Sequence, residues 1–396
     1  MKLKFKSLKF SKQETKIKVI FQNIYYFYIN NKDLEKIGKF KIDFDSITIK
    51  SSKKNENVEQ KFNFLLGKGF ENLKCSLNGK PVLYIHKNSG IPLLGSNEFG
   101  IVDRGTNMIE VKPLSTCNID CIFCSVDHTK RPRDIVVEAD YLVEELNKLV
   151  KIKENRVNIH IGSQGDTSIY GDLIPLVRKI KKIKKVASIA IVTNGIIITP
   201  TFAKKLIDAG ISHFSISLHS LDQKKADLLA NAKYPVKKVM KTCKFIAKNA
   251  NLILVPVYVP TINDKDIEEI ILFAKEIGAK MGIQNFLEYK LGKKPVNPIS
   301  MKLFYKKLKD WEQKYDINLT TLDSDLEFKL DTKLPKPFRK GEIIEVELKA
   351  PSRLKNSMIA VAKDRSINVI NSLKNQGKIK VKLIRDKDNI FTAVPA

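Results

Sequence analysis

Strands and amphipathic helices alternate without a break from residue 108 to residue 287, and this alternation constrains the fold more than any other feature. Strand-like apolar runs occupy 108–113, 157–162, 188–193, 213–218, 252–259 and 281–287. Helical patterns lie between them at 137–152, 172–184, 200–209, 223–230 with 235–249, and 264–277. Strict alternation of this kind predicts a parallel sheet with right-handed crossover connections. Six such units fit an open, partial α/β barrel.

A cysteine-rich loop follows the first of these strands. Its cysteines are spaced three and then two residues apart, at Cys117, Cys121 and Cys124. A tight loop with this spacing can bring three thiolates to one iron-sulfur cluster and leave the fourth iron open. A zinc site is one alternative, because His128 would complete a tetrahedron, and buried cysteines without a ligand are another.

This loop resembles the cluster loop of the radical S-adenosylmethionine (SAM) enzymes, whose signature is C-x3-C-x-aromatic-C, with Phe123 as the aromatic residue. The resemblance covers roughly residues 105–300 and implies a partial (βα)6 radical SAM barrel. It also implies a 4Fe-4S cluster on the three cysteines, SAM bound at the free iron, and a reductase or ferredoxin as the electron donor. Cleavage of SAM would release a 5′-deoxyadenosyl radical that takes a hydrogen atom from the substrate.

Polar segments follow the later strands, at the carboxyl ends where parallel α/β folds gather functional groups. The segment 162–166 (Gly-Ser-Gln-Gly-Asp) is similar to the Gly-Gly-Glu motif of the family, whose backbone meets the SAM ammonium. The segment 193–195 (Thr-Asn-Gly) matches a sequence common in the superfamily. The resemblance therefore implies a set of cofactor-binding residues: Phe123, Gly162, Gln164, Gly165, Asp166, Thr193, Asn194, Ser217, Asn263 and Gln284.

Several polar residues in the same region have simpler interpretations. Asn263 is explained equally well as a helix N-cap. Three histidines are interpreted as structural rather than as acid or base groups: His128, His160 and His219. The lysines at 290, 293 and 294 are interpreted as a solvated basic run that has a smaller chance of holding a substrate phosphate.

Residues 1–100 alternate aromatic and polar positions with the period of half-buried strands, which predicts a β-rich N-terminal region. The Lys/Asn/Glu-rich stretch 51–60 is predicted to be a loop. No catalytic motif and no cobalamin-binding α/β pattern is evident in this region.

Proline residues at 335 and 337 mark a linker, and short strands of period two follow it. This segment is predicted to be a small β-barrel and is similar to the TRAM domain, an RNA-binding barrel. Lysine and arginine outnumber acidic residues there, and the whole chain has Lys+Arg 71 against Asp+Glu 43, a net charge of +28. The predicted RNA contacts are Lys340, Arg353, Lys378 and Lys380. A generic SH3-like or OB-like packing domain and a lysine-rich composition are the alternatives.

The sequence therefore predicts three domains, at 1–100, 101–334 and 335–396. The predicted protein is a radical SAM enzyme that modifies a nucleotide in tRNA or another RNA; the alternative substrates are a protein side chain or a small metabolite. Only two cysteines lie outside the loop, which argues against a second cluster and fits a reducing cytoplasm. No signal peptide is evident, and apolar runs such as 251–260 are too short to cross a membrane.

Overall fold

The computed structural model describes residues 1–52, 54–320 and 328–396. The N-terminal part contains β1 (Lys2–Lys4), β2 (Leu8–Lys12), β3 (Lys16–Phe21), β4 (Tyr25–Asn30), α1 (Asn31–Glu35), β5 (Lys39–Ile42), β6 (Ser46–Lys50), α2 (Asn55–Glu71), β7 (Lys74–Cys75) and β8 (Val82–Ile85). Two antiparallel sheets form here, in the orders β1-β6-β5 and β2-β3-β4-β7. The predicted β-rich N-terminal region is confirmed.

Helix α2 corrects the prediction of a loop at 51–60, of which residue 53 lies outside the described residues. The helix begins at Asn55 and buries Val58, Phe62 and Leu66. These side chains recur every four residues and so share one face, which packs towards β4. The polar composition of the first turn concealed this apolar stripe.

The central part continues with β9 (Gly100–Asp103), β10 (Met108–Lys112), β11 (Asp134–Val137), α3 (Ala139–Ile152), β12 (Val157–Ile161), α4 (Leu173–Lys181), β13 (Val186–Thr193), α5 (Pro200–Ala209), β14 (His213–Ile216), α6 (Gln223–Ala230), α7 (Val236–Ala247), β15 (Asn251–Leu254), β16 (Val257–Tyr258), α8 (Asp264–Ile277), β17 (Lys280–Met281), β18 (Gln284–Asn285) and α9 (Met301–Tyr315). Its sheet has the order β17-β15-β14-β13-β12-β10-β9. The strands from β17 to β10 are parallel, and β9 is antiparallel at the edge. The predicted partial (βα)6 barrel is confirmed.

The last two predicted strands are each divided in two. Strands β15 and β17 belong to the large sheet, whereas β16 and β18 form a separate parallel pair. Pro256 lies between β15 and β16 and has no N–H group to donate to the ladder. The pairing of β16 with β18 therefore continues beyond the large sheet, with the Gln284 amide donating to the Pro256 carbonyl at 2.9 Å.

The C-terminal strands are β19 (Ile343–Pro351), β20 (Ser357–Ala362), β21 (Arg365–Ile370), β22 (Gly377–Arg385) and β23 (Thr392–Pro395). They close into a barrel in the order β19-β20-β21-β23-β22. The rings of Phe338 and Phe391 pack edge to face inside it, with centroids 5.5 Å apart. The predicted small C-terminal barrel is confirmed, whereas its likeness to TRAM and the three domain boundaries stay predictions.

The C-terminal barrel packs on the segment before β9. The Ser366 amide donates to the Leu94 carbonyl at 2.7 Å, and the Phe391 amide donates to the Gly95 carbonyl at 2.9 Å. Gly95 has a φ of +114°, and a Cβ there would lie 2.1 Å from the Ser366 carbonyl oxygen. The contact therefore requires glycine and fixes the barrel beside the mouth of the central sheet. Within the described ranges, no helix has the length and apolar character needed to cross a bilayer.

Lys153 and Asp103 form a buried ion pair that we expect to be critical for stability. The Lys153 ammonium is 2.8 Å from the Asp103 carboxylate and donates to the Thr332 carbonyl at 2.7 Å. Replacing Lys153 with methionine leaves the buried carboxylate unpaired, so we expect the free energy of unfolding to fall by about 3–5 kcal/mol in urea titrations. Lys204→Met is the matched control, since Lys204 pairs with Asp208 on the surface. The Lys204→Met substitution should lower the free energy of unfolding by less than about 1 kcal/mol. Equal losses of stability in the two variants would contradict the prediction.

Candidate functional site

A cavity of about 780 Å³ opens at the carboxyl ends of the parallel strands. Most of the predicted cluster-binding and cofactor-binding residues line it: Cys117, Cys121, Phe123, Cys124, Gly162, Gln164, Gly165, Asp166, Thr193, Asn194, Ser217 and Gln284. These residues come from several separate strand ends and from the cysteine loop. The structure therefore brings the set together, while the role of each residue stays a prediction.

The cysteine loop is held in place by backbone hydrogen bonds to neighbouring segments. The amides of Asp120 and Ile122 donate to carbonyls at the end of α6, at 3.1 and 3.0 Å. From the other side, the Lys293 amide donates to the Cys124 carbonyl at 2.9 Å. The Lys293 ammonium also lies 2.6 Å from the Asp120 carboxylate. Lys293 is therefore part of the support of the loop, which corrects its interpretation as a solvated lysine.

The chemistry of the three thiols fits a positively charged metal cluster. Burial raises the pKa of all three, that of Cys121 to about 12, and the nearby thiols raise the pKa of Cys117 and Cys121 further. Thiolates at these positions therefore need a cationic partner. In the part of the chain that the structure describes, no three His, Cys, Asp or Glu side chains are grouped as a site for a single ion. The three cysteines instead line the cavity of about 780 Å³, which has room for a multinuclear cluster and a second ligand.

Phe123 lies at the wall of the cavity beside His219. The two rings meet edge to face with centroids 4.8 Å apart, and Phe123 also packs with Leu229 and Phe286. The His219 Nδ1 accepts a hydrogen bond from the Val257 amide at 3.1 Å. This wall is apolar and fixes the position of the residue between Cys121 and Cys124.

His219 should make the stability of the protein sensitive to acid. Burial lowers the pKa of His219 to about 4 from its ordinary value of 6.5, so the folded state keeps this ring neutral while the unfolded chain takes up a proton. The stability that this group contributes is present above pH 6.5 and is lost as the pH falls towards 4, up to about 3 kcal/mol. Urea titrations from pH 7 to 4 should show a smaller loss in His219→Asn, which keeps an acceptor for the Val257 amide. Parallel pH profiles in the two proteins would contradict this.

The turn at 162–166 packs directly against the residues that precede the cysteine loop. The Asp166 amide donates to the Thr116 carbonyl at 2.9 Å, and a Cβ on Gly165 would lie 1.8 Å from that same oxygen. Arg131 spans the same contact and donates to the carbonyls of Ser115 at 2.5 Å and Gln164 at 2.7 Å. Turn and loop are therefore joined by contacts that leave no space for a side chain at Gly165.

The Asp166 carboxylate joins two strand ends. It accepts hydrogen bonds from the Ser168 amide at 2.9 Å, the Thr193 hydroxyl at 3.0 Å and the Asn194 amide at 2.6 Å. Burial raises its pKa, and these hydrogen bonds oppose the rise. The carboxylate thus holds the turn to the Thr-Asn-Gly segment as well as lining the cavity.

Asn194 and Ser217 complete the same wall. The side-chain Nδ2 of Asn194 donates to the Asn118 side chain at 2.8 Å, and its Oδ1 accepts from the Ile196 backbone amide at 3.0 Å. Among the described residues, the Ser217 hydroxyl has no hydrogen-bond partner, although its backbone amide donates to the Thr193 carbonyl. Ser217 is therefore able to offer its hydroxyl to a ligand.

Asn263 and the three predicted barrel lysines lie away from the cavity. The Asn263 side chain accepts from the Val259 amide at 2.8 Å and donates to the Val257 carbonyl at 2.9 Å, and it does not cap α8. It therefore supports the segment after β16. The lysines are exposed on the C-terminal barrel: Lys340, Lys378 and Lys380.

Arg353 comes from the C-terminal barrel but lies in the cavity. Its side chain is 10% exposed, its Nε is 3.0 Å from the Glu98 carboxylate, and its guanidinium donates to the Gln164 side chain. The Ser352 hydroxyl donates to the same carboxylate at 2.9 Å. The barrel therefore supplies a cation to the wall of the cavity.

Several charged residues of the cavity were missed in the sequence. Glu110 and Lys112 alternate with buried residues on β10, and both line the cavity. The Lys112 ammonium lies 2.9 Å from the Glu110 carboxylate, and His160 is the neighbour of Glu110 on the adjacent strand. A central parallel strand is expected to be apolar on both faces, so the charged residues at alternate positions of β10 could have indicated a polar site. Arg385 also lines the cavity and had no such signal, because its position depends on contacts between distant parts of the chain. The same holds for Arg131, which does not line the cavity but joins the turn to the cysteine loop.

Comparison with known proteins identifies similar chains. A family model described as the Radical SAM superfamily matches residues 111–274. The uncharacterized protein MJ0103 of Methanocaldococcus jannaschii is 31% identical over 358 residues, which cover 81% of this chain and 82% of that protein. A GTP 3′,8-cyclase of Campylobacter jejuni subsp. doylei is 29% identical over 189 residues, covering 47% of this chain and 58% of the cyclase. Streptococcus suis SuiB bound to SAM aligns over 80% of this chain and 71% of its own, at 14% identity and a TM-score of 0.43.

Proposed function

Because the chain belongs to the radical SAM superfamily, we propose that it is an enzyme that modifies a nucleotide within an RNA, with tRNA as the expected substrate. The cofactors of the superfamily are a 4Fe-4S cluster and SAM, and this enzyme uses both. Such a cluster, when reduced, supplies the electron that cleaves SAM to a 5′-deoxyadenosyl radical. A reductase or ferredoxin is the proposed electron donor.

In this proposal, Cys117, Cys121 and Cys124 hold the cluster, and the surrounding residues position SAM. The turn at 162–166 presents its backbone at the strand end, held by Arg131 and by the Asp166 carboxylate. Phe123 and its apolar neighbours exclude water from one side. The Ser217 hydroxyl, which lines the cavity, would donate a hydrogen bond to SAM. Rigid support of this kind matters because a small displacement of the reacting atoms costs a large part of the rate.

The observation that supports a nucleotide is the cationic part of the same cavity. Lys112, Lys290, Arg353 and Arg385 line it together with the thiols. Among the described residues, Lys290 and Arg385 have no carboxylate partner, and the ring of Tyr289 beside Lys290 is exposed. Free cations attract phosphate, and an exposed ring provides a stacking surface for a base.

The substrate is proposed to be a polymer because the protein is strongly basic as a whole, at +28, and because exposed lysines extend over the C-terminal barrel. Lys340, Lys378 and Lys380 are proposed to contact the RNA backbone, in the manner of a TRAM-like domain. A target base must leave its stack to reach the cavity, which costs least in a single-stranded or loop region.

A free nucleotide is the second candidate, and one specific observation favours it. Curated relatives over about half of this chain are named GTP 3′,8-cyclases. The free base and phosphates of such a molecule would meet the same cations and the same ring. A protein side chain or another small metabolite is the remaining alternative.

The test is 5′-deoxyadenosine release by anaerobically reconstituted enzyme with SAM and a reductant. We expect release to rise on addition of undermodified bulk tRNA and not on addition of GTP. Release that rises with GTP alone would favour the free nucleotide. Release that responds to neither would point to protein or metabolite substrates. Bound zinc with no release would contradict the radical chemistry and favour a zinc site.

A further inference from the structure

The sheet β2-β3-β4-β7 has one covered face and one open face. The covered face carries Val19, Tyr25 and Phe27, all buried, and it packs against α2. The alternate residues point the other way. We refer to these outward residues as the N-terminal sheet face, defined by Lys9, Lys16, Lys18, Tyr26, Tyr28 and Lys74.

Aromatic rings and lysines are paired on this face. The Lys16 ammonium lies 4.0 Å from the centroid of the Tyr28 ring, and the Lys18 ammonium lies 4.4 Å from that of Tyr26. The two tyrosine rings meet edge to face with centroids 5.6 Å apart. Tyr28 is 40% exposed. Each ring therefore has a cation beside it; the Tyr28 ring is exposed and the Tyr26 ring is half-buried.

The strands of this face contain no acidic residue: 8–12, 16–21, 25–30 and 74–75. The nearest carboxylates along the adjoining sheet, Asp43 and Asp45, are paired with Lys2 at 3.7 Å and Lys4 at 3.4 Å. Glu14 lies in the turn between β2 and β3, and the four lysines of the face outnumber it. The face is therefore positively charged overall, and it complements a polyanion that also has aromatic faces.

We propose that the N-terminal sheet face binds single-stranded RNA, with bases stacked on Tyr26 and Tyr28 and phosphates held by the lysines. Stacking on exposed aromatics and a basic surface that follows the backbone are the means by which sheets bind single strands. The proposal rests on the proposed function, since it takes RNA as the substrate. It adds a second binding surface outside the cavity.

The N-terminal sheet face is firmly connected to the cavity. The hydroxyl of Tyr25, on the covered side next to Tyr26, is hydrogen-bonded to the hydroxyl of Thr116 at 3.0 Å. Thr116 immediately precedes Cys117. The amide of Gln22 also donates to the Asp172 carboxylate, just before α4. RNA bound on the sheet is therefore held at a constant position relative to the cysteine loop.

The C-terminal barrel presents a different balance of charge. Glu345 and Glu347 on β19 lie opposite Lys380 and Lys378 on β22, and Lys378 pairs with Glu345 at 3.5 Å. Acidic and basic side chains thus neutralise one another on this part of the barrel. The strands of the N-terminal sheet face, by contrast, contain no acidic residue to pair with their lysines.

The experiment measures binding of a fluorescein-labelled single-stranded RNA of mixed sequence to the full-length enzyme by fluorescence anisotropy. The double variant Tyr26→Ala/Tyr28→Ala should weaken binding by about tenfold or more. Tyr26→Phe/Tyr28→Phe keeps the rings and should bind like the parent protein. Lys16→Ala/Lys18→Ala should weaken binding and reduce the slope of log affinity against log salt by about 1.4.

The controls remove similar groups elsewhere. Tyr305→Ala removes an exposed ring on α9, and Lys237→Ala/Lys241→Ala removes two exposed lysines on α7. Both should leave RNA affinity unchanged. The proposal would be overturned if the sheet variants kept the RNA affinity of the parent protein, or if the controls lost as much affinity as the sheet variants. It would also be overturned if the sheet variants bound RNA normally but lost binding to anionic vesicles, measured in parallel.

A second readout separates this inference from the proposed function. The sheet variants should keep the cluster colour and SAM cleavage without RNA, and should show a raised KM for tRNA in 5′-deoxyadenosine release. If tRNA stimulates the parent enzyme and the sheet variants equally, the sheet proposal fails while the proposed function stands. If tRNA neither binds nor stimulates the parent enzyme, the proposed function fails first.

Discussion

Replacing any one loop cysteine, Cys117, Cys121 or Cys124, with alanine is expected to abolish the brown chromophore and all release of 5′-deoxyadenosine. Burial raises the pKa of each thiol, so these positions favour thiolates only around a cationic cluster. Two remaining thiolates cannot hold the cluster with a single open iron. The measurements are the visible spectrum, the iron and sulfide content, and SAM cleavage under anaerobic conditions.

Cys75→Ala is the matched control for this experiment. Cys75 is also buried and its thiol pKa is also raised, but it lies on β7 in the N-terminal sheet. The variant should keep the chromophore and the activity. Retained SAM cleavage in any single loop variant would contradict the assignment of the cluster to these three cysteines.

Replacing Gly165 with alanine is expected to reduce SAM cleavage by about a hundredfold, because it displaces the turn that positions SAM. The new Cβ would lie 1.8 Å from the Thr116 carbonyl oxygen and 2.6 Å from that of Ser115, both of which are backbone atoms. Either the turn or the segment before Cys117 has to move. The clash should also lower the free energy of unfolding by about 1–3 kcal/mol. SAM affinity and cleavage rate should be measured with urea unfolding on the same preparations.

Gly162→Ala is the control in the same turn. A Cβ on Gly162 would have only the His160 ring near it, at 3.9 Å, which is an ordinary contact. This variant should keep the free energy of unfolding within about 1 kcal/mol of that of the parent enzyme, since no backbone atom has to move. Similar losses in both variants would mean that the turn tolerates no change at all, and would remove the steric explanation.

Local patterns in the sequence were sufficient to predict the central fold. The period of the apolar residues located helices such as α3 and α8 and strands such as β10 and β13, since each pattern is read within a dozen residues. The rule that functional groups follow parallel strands then placed the polar strand ends together, as the cavity shows. Helix α2 was not predicted because its stripe of apolar residues begins within a polar segment.

The resemblance of the loop with Cys117, Cys121 and Cys124 to that of the radical SAM enzymes predicted the class of enzyme from the sequence alone. The alternation of strand and helix predicted the edge of the sheet where the site lies. Only the tertiary structure could show that Arg353 and Arg385 of the C-terminal barrel reach this site, and that Arg131 joins the turn to the cysteine loop. It also showed that Tyr26 and Tyr28 share an open basic face. The physical reason is distance along the chain: Arg353 and Gln164 are 189 residues apart, and such a contact depends on how whole elements pack and on no local pattern.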